Sequence, residues 1–286
     1  MALIPPFFLD CVVAIGFLGD GDKRTYQATG FLYGHFLKQV DENQKTYKVF
    51  LVTNRHVFER EAQAFLRFNP EGGEPAREYP IHLLDKSGKE TWFAHDDVDI
   101  DVAVIGIIGQ RLQDERIRFG LFASDGPTAT RSKAADLGIS EGDGVFLLGF
   151  PMGLVGESRN VVVVRQGSIA RIRDCLESRS KDFLIDCSVF PGNSGGPVVT
   201  RPEITAIQGT KSANAAYLLG IVASYLPYQD VAISQQTRRP RVIFEENSGL
   251  ASVFPMDYVE DVVRKAMAAT GEPPLTETGT TGSDAA

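Results

Sequence analysis

Short apolar runs recur along the chain, and residues that favour turns close each of them. Examples are CVVAIGFL at 11–18, YKVFLVT at 47–53, DVAVIGII at 101–108 and GVFLLGF at 144–150. Some runs alternate apolar and polar residues and others are apolar throughout, as in strands buried on one or both faces. Turn-forming stretches such as GDGDK and DENQK follow two of the early strands. Many short strands without long helices between them predict an all-β sandwich or barrel.

Helical periodicity is confined to three segments, at 56–68, 132–138 and 256–270. The third is the strongest, because apolar residues recur at helical spacing from Tyr258 and the pattern ends at Gly271. The tail at 271–286 carries almost no large apolar residues, which predicts disorder.

The chain has 286 residues, enough for one large domain or two small ones that share an interface. A stretch rich in Gly, Ser, Asp and Ala (118–143) separates two groups of strands. We therefore predict an N-terminal β half at 8–120, a linker at 121–143, a C-terminal β half at 144–255 and a closing helix at 256–270.

Composition and charge exclude some classes of function. With 43% hydrophobic and 23% charged residues the chain is globular, and its net charge of −8 argues against nucleic-acid binding. No apolar run reaches the roughly 18–20 residues that a membrane helix requires. The first residues lack a basic region and are interrupted by prolines, so we expect no secretory signal and a cytoplasmic protein.

Three cysteines are a sparse, odd set for an oxidising compartment. Cys175 and Cys187 lie at symmetric distances from Lys181 and could face each other across a hairpin. A disulfide and two reduced packing thiols both remain open, and we favour the thiols.

The stretch FPGNSGGPVV at 190–199 surrounds Ser194 with glycines and prolines. Gly192 allows a sharp turn that leaves its N–H exposed, and the Ser194 N–H then points the same way. Two such amides form an oxyanion hole, which binds the charge that develops on an attacked carbonyl. We predict that Ser194 is a nucleophile.

A serine nucleophile needs a base and an orienting carboxylate. Of the four histidines, His56 closes the buried run KVFLVTNRH, whereas His35 reads as a packing or edge residue and the other two lie in polar segments. The stretch HDDVDIDVAVIGI (95–107) offers four aspartates. Read as a strand, it places Asp97, Asp99 and Asp101 on one face and Val98 on the other. Asp101 immediately precedes the apolar run, so we expect it to be buried and paired with His56.

Metal and cofactor sites are not expected. The D-x-D-x-D spacing resembles a calcium loop, but Val102 stands where that loop needs Gly and Ile108 where it needs Glu. The spacing of zinc ligands is absent as well.

The ordered elements LVTNRHVF, DIDVAVI and PGNSGGPVV resemble the trypsin-like serine peptidases. More closely, they are similar to the bacterial branch that includes the high-temperature-requirement proteases, in a stand-alone form for which we expect no PDZ domain. The resemblance implies two perpendicular six-stranded antiparallel β-barrels with a C-terminal helix. It makes His56 the general base, Asp101 the orienting carboxylate, Ser194 the nucleophile, and the amides of Gly192 and Ser194 the oxyanion hole.

The chain departs from digestive members of this family just before the nucleophile. Those members have an Asp that pairs with a new N-terminal amine after proteolytic activation, and this chain has Asn193. We therefore expect no zymogen cleavage, with activation by loop ordering or by a regulatory protein partner.

Substrate preference is weakly constrained by the sequence. Ser188 lies six residues before the nucleophile, where a preference for Lys or Arg needs a carboxylate, so we expect a neutral pocket base. A strand at 220–226 is expected to pair with the substrate backbone. The candidate pocket residues are Ser188, Phe190, Ala223, Ser224 and Tyr225.

The sequence thus predicts a serine endopeptidase acting on protein or peptide substrates, with no nucleic-acid or membrane partner. Two alternatives stay open. One is a protease fold that binds peptides or partners without cleaving them, and the other is a latent protease within a multi-protein system.

Overall fold

The computed structural model describes residues 3–19, 21, 23–42, 44–203, 211 and 215–271. Most elements in these ranges are strands, as the apolar pattern predicts. Except for Gly271, the tail predicted to be disordered lies outside the described residues.

The first half of the chain forms a nine-stranded sheet. Its strands are β1 (Val12–Leu18), β2 (Arg24–Gln39), β3 (Lys45–Thr53), β4 (Gln63–Pro70), β5 (Arg77–His82), β6 (Phe93–Ala94), β7 (Ala103–Ile107), β8 (Ile117–Arg118) and β9 (Phe122–Ala123). Seven follow in the order β5-β4-β1-β2-β3-β7-β6, while β8 pairs with β4 and β9 runs parallel to β2. This half is therefore a curled half-barrel of nine strands, where the resemblance implies six.

The second half is a closed barrel of six antiparallel strands, in the order β10-β11-β12-β15-β14-β13. The strands are β10 (Gly144–Gly149), β11 (Val163–Arg171), β12 (Phe183–Asp186), β13 (Pro197–Thr200), β14 (Leu218–Ile233) and β15 (Pro240–Pro255). β14 and β15 stay paired from Gly220 and Pro255 out to Ile233 and Pro240, so this hairpin reaches well beyond the barrel.

Six α-helices connect or cover the strands in the described ranges. They are α1 (Phe7–Asp10), α2 (Arg55–Phe58), α3 (Gly109–Asp114), α4 (Arg131–Leu137), α5 (Arg173–Leu176) and α6 (Met256–Ala269). The two later helical predictions match α4 and α6. The segment 56–68 forms only the single turn of α2 before β4 begins. No helix in the described ranges is long and apolar enough to cross a membrane.

Buried apolar side chains form three clusters. One fills the curled sheet around Leu51, another fills the closed barrel around Leu147, and a third joins the two halves and buries one face of α6. On α6 the buried residues recur at helical spacing, and they are Met256, Val259, Val262, Val263, Ala266 and Met267. The predicted class, a two-barrel β protein with a C-terminal helix, is confirmed.

Two local predictions are corrected. The aspartates between His95 and Val102 lie in a loop and not in a strand, and Val98, which was assigned to the apolar face, is 77% exposed. The polar segment around His95 predicts a solvated histidine. Its ring instead packs against Tyr258 with 5.2 Å between ring centroids, and its side chain is only 17% exposed.

Candidate active site

His56 lies on the single turn of α2, directly after the buried end of β3. Thr53 and Asn54 are fully buried, while the His56 side chain is 50% exposed. The buried end of β3 thus provides a rigid support that places the imidazole at the surface.

His56 and Asp101 are joined by two hydrogen bonds. The His56 Nδ1 lies 2.6 Å from the Asp101 Oδ2, and the His56 backbone N–H donates to the Asp101 Oδ1 at 3.0 Å. The hydrogen bond to Asp101, with its negative charge, raises the pKa of His56, although partial burial opposes the effect. A carboxylate that accepts from Nδ1–H leaves Nε2 as the basic nitrogen.

The other three aspartates of the loop have lysine partners. Lys181 pairs with both Asp97 and Asp99 at 2.8 Å, and Lys265 pairs with Asp96 at 2.5 Å. Sequence left Asp99 as a competitor of Asp101, and the structure brings only Asp101 to His56.

Two hydrogen bonds from α2 and its N-cap fix this loop. Asn54 Nδ2 donates to the Asp101 backbone oxygen at 2.7 Å, and Arg55 donates to the His95 backbone oxygen. The carboxylate is therefore attached to the element that carries the imidazole.

Ser194 lies in a tight turn whose neighbouring residues are buried. From Gly192 to Gly196, Ser194 is the one residue that is not buried. Gly192 has φ +96° and Gly195 has φ +83°, which favour glycine. A Cβ on Gly195 would lie 2.1 Å from the Thr29 backbone oxygen, so the backbone approach to β2 also requires glycine.

The amides of Gly192 and Ser194 have no acceptor among the described residues. The orientation of one of them follows from its own peptide group. Met152 N–H donates to the Pro191 carbonyl at 2.6 Å, and a trans peptide points its C=O and N–H in opposite directions. The Gly192 N–H, which shares that peptide group, therefore points away from Met152.

Residues of the first half form hydrogen bonds to this turn. Thr29 N–H donates to the Ser194 carbonyl at 2.9 Å, and the Thr29 hydroxyl donates to the Gly192 carbonyl at 2.6 Å. The Thr53 hydroxyl donates to the Thr29 carbonyl at 2.8 Å. Thr53 lies three residues before His56. The serine turn is therefore linked, through Thr29, to the strand that leads to the imidazole. The Ser194 hydroxyl makes no hydrogen bond to any described residue.

Asn193 makes two hydrogen bonds across the turn. Its Oδ1 accepts the Phe190 N–H at 3.1 Å, and its own N–H donates to the Phe190 carbonyl at 3.0 Å. The side chain is 1% exposed, and its Nδ2 has no partner within the described part of the chain.

The five candidate pocket residues are placed differently. Ser188 and Ser224 are exposed, and Phe190 and Tyr225 are half-buried. The Ala223 side chain is 7% exposed and belongs to the core between the two halves, so only its backbone can line a cleft.

Sequence reasoning missed three residues near the site. Thr29 and Met152 act through the bonds described above, and Arg165 places its guanidinium carbon 4.9 Å from the centroid of the Phe190 ring. The left-handed conformation of Met152, with φ +55°, is invisible in the sequence apart from the GFPMG loop around it. No cluster of His, Cys, Asp or Glu suited to a metal ion occurs among the residues that the structure describes.

Fold and site together define a chymotrypsin-like, two-barrel protein. The chain belongs to the trypsin-like peptidase domain family, whose sequence model matches residues 28–203. Among solved structures, the chain is similar to the MamO protease domain from Magnetospirillum magneticum, with 16% identity, TM-score 0.46, and coverage of 90% of this chain and 97% of that one. It is also similar to kallikrein-related peptidase 10 in complex with Zn²⁺, with 10% identity, TM-score 0.46, and coverage of 91% and 97%. No curated protein sequence matched the chain.

Proposed function

We propose that this protein is a serine endopeptidase that cleaves peptide bonds through an acyl-enzyme, with Ser194, His56 and Asp101 as its triad. The observation that carries the proposal is the 2.6 Å contact between His56 Nδ1 and Asp101 Oδ2. It fixes the tautomer in which Nε2 accepts a proton, and it stabilises the imidazolium that forms.

In the first half-reaction, His56 Nε2 takes the proton of the Ser194 hydroxyl as Oγ attacks the scissile carbonyl carbon. The carbonyl oxygen becomes an oxyanion that accepts from the free N–H groups of Gly192 and Ser194. The C–N bond then breaks and His56 returns the proton to the leaving amine. In the second half-reaction, His56 deprotonates a water as its oxygen attacks the acyl carbon. The bond from that carbon to the Ser194 Oγ then breaks, His56 returns the proton to Oγ, and the carboxylic acid product leaves.

A latent form is the second candidate, and the unbonded Ser194 hydroxyl favours it. Catalytic hydrogen bonds are often long without substrate and tighten in the complex. Because Asn193 Oδ1 is already engaged by Phe190 N–H, the turn is organised without an N-terminal amine. This supports activation by substrate, loop ordering or a partner protein. The three buried, unpaired cysteines support a reducing compartment such as the bacterial cytoplasm.

Labelling with a fluorophosphonate tests the proposal, because the reagent forms a covalent bond only with an activated serine. We expect a mass increase on the peptide that contains Ser194, and none in Ser194→Ala or His56→Ala. The same folded protein is then assayed for hydrolysis of a peptide library. A non-cleaving binding module would leave Ser194 unlabelled and bind peptides equally well as wild type and as Ser194→Ala.

A further inference from the structure

Arg165 lies on the inner face of the closed barrel. It pairs directly with Leu147 of β10, and residues opposite each other in antiparallel strands share a face. Leu147 is fully buried in the barrel core, and so is Ile169, four residues after Arg165 on the same strand. The guanidinium therefore extends from a row of core positions.

This guanidinium has no carboxylate or carbonyl partner among the described residues, and its Nε is buried without a hydrogen bond. The other buried or half-buried arginines all donate to a backbone oxygen or a carboxylate: Arg55, Arg67, Arg131, Arg159 and Arg201. Charges that leave water without a partner are costly. Arg165 is half-buried with its Nε out of contact with water, and it lacks the acceptor that the other such arginines have. A carboxylate from outside the chain would supply that acceptor.

The contacts of Arg165 place it at the candidate substrate pocket. Its guanidinium lies over the Phe190 ring at 4.9 Å, and Phe190 is bonded to Asn193 next to the nucleophile. Cys187 beside it also experiences the positive charge, which opposes the effect of burial on the pKa of the thiol. In the sequence, Ser188 lies between Cys187, whose pKa the Arg165 charge lowers, and Phe190, whose ring the guanidinium contacts.

We propose that Arg165 makes this pocket select an acidic residue, glutamate or aspartate, on the acyl side of the cleaved bond; the inference rests on the proposed peptidase function. The guanidinium carbon lies 4.9 Å from the centroid of the Phe190 ring, its N–H donors have no acceptor among the described residues, and the fork of donors matches a carboxylate. The sequence suggested a neutral pocket from Ser188 alone, because the cation comes from β11, more than twenty residues earlier.

The test compares peptides that differ only in Glu, Gln, Leu or Lys before the cleaved bond. For wild type we expect kcat/KM for Glu to exceed that for Gln by about 10- to 100-fold, the range for a hydrogen bond to a charged group. Arg165→Gln should abolish this ratio, and Arg165→Glu should shift the preference to Lys. Arg171→Gln is the matched control, because Arg171 is an exposed arginine on the same strand.

A binding experiment separates this inference from the proposed function. Ser194→Ala is titrated with the Glu and Gln peptides, with and without Arg165→Gln, and thermal unfolding verifies that each variant is folded. Tighter binding of the Glu peptide that disappears with Arg165→Gln supports the pocket even if fluorophosphonate never labels Ser194. Equal affinity for the two peptides, or an Arg165-independent preference, would overturn the assignment.

Discussion

Replacing Gly192 by alanine tests whether the free amides beside Ser194 stabilise the oxyanion. The new Cβ would lie 2.4 Å from the Phe150 backbone oxygen and 3.0 Å from the Met152 nitrogen. Both are backbone atoms, so the turn itself must move. Movement of the Pro191–Gly192 peptide breaks its bond to Met152 and reorients the Gly192 N–H.

The expected loss is that of one oxyanion-hole donor, about 10²–10³ in kcat, or roughly 2.7–4 kcal/mol of transition-state stabilisation. A second cost falls on stability, because an L-residue at φ +96° in the left-handed region costs about 1–2 kcal/mol. KM should change less than kcat, because the oxyanion exists only after attack.

Gly142→Ala is the control for backbone strain. Gly142 has φ +91°, close to that of Gly192, but a Cβ added there would meet nothing within 4 Å. Both variants should lose thermal stability, while only Gly192→Ala should lose kcat and react slowly with fluorophosphonate. A folded Gly192→Ala enzyme with wild-type kcat would refute the oxyanion assignment.

Three further predictions use the pKa values of buried and paired groups. Because Asp101 raises the pKa of His56 and the neutral imidazole is the base, kcat/KM should rise with pH through a midpoint above about 6.5. Asp101→Asn should lower that midpoint and reduce kcat by about 10⁴-fold. An unchanged pH profile would contradict the pairing of Asp101 with His56. Burial raises the pKa of all three thiols, that of Cys175 to about 12, so a thiol reagent should label none of them in native protein and all of them after denaturation; labelling of the native protein would contradict this. The Ile172 and Arg173 amides lower the pKa of Glu141 to about 2, so the ionised carboxylate stabilises the folded state fully above about pH 4.5, and this stabilisation is lost as the pH falls through about 2. The difference in unfolding free energy between wild type and Glu141→Gln should shrink over that pH window, and a constant difference would contradict the bonding of Glu141.

Local patterns were sufficient to predict most elements and the candidate triad. The apolar runs that ended in turn residues became strands, and α6 followed its helical spacing because one face packs against both halves. His56 and Ser194 stand in motifs short enough to be read directly from the chain. Their chemistry demands particular residue types in a fixed order, and this makes the motifs specific.

The missed features depend on contacts between segments distant in sequence. The aspartate loop resembled a strand by its alternation, but hydrogen bonds from Asn54 and Arg55 to the backbone oxygens of Asp101 and His95 hold it as a loop. The inward orientation of Arg165 follows from its pairing with Leu147, and register cannot be read from one strand.

The serine turn depends on the first half of the chain as much as on the barrel that contains it. Thr29 is fully buried, and it donates to Ser194 and Gly192 while its hydroxyl accepts the Phe150 N–H at 3.0 Å. Leaving such a buried group unpaired costs about 1–3 kcal/mol. Without the first half, the turn would lose these bonds together with the Thr53 hydroxyl against which Gly195 packs. These bonds hold the peptide groups that follow Gly192 and Ser194 across the interface between the halves. A perturbation that separates the halves should therefore disable the nucleophile before it unfolds the barrel.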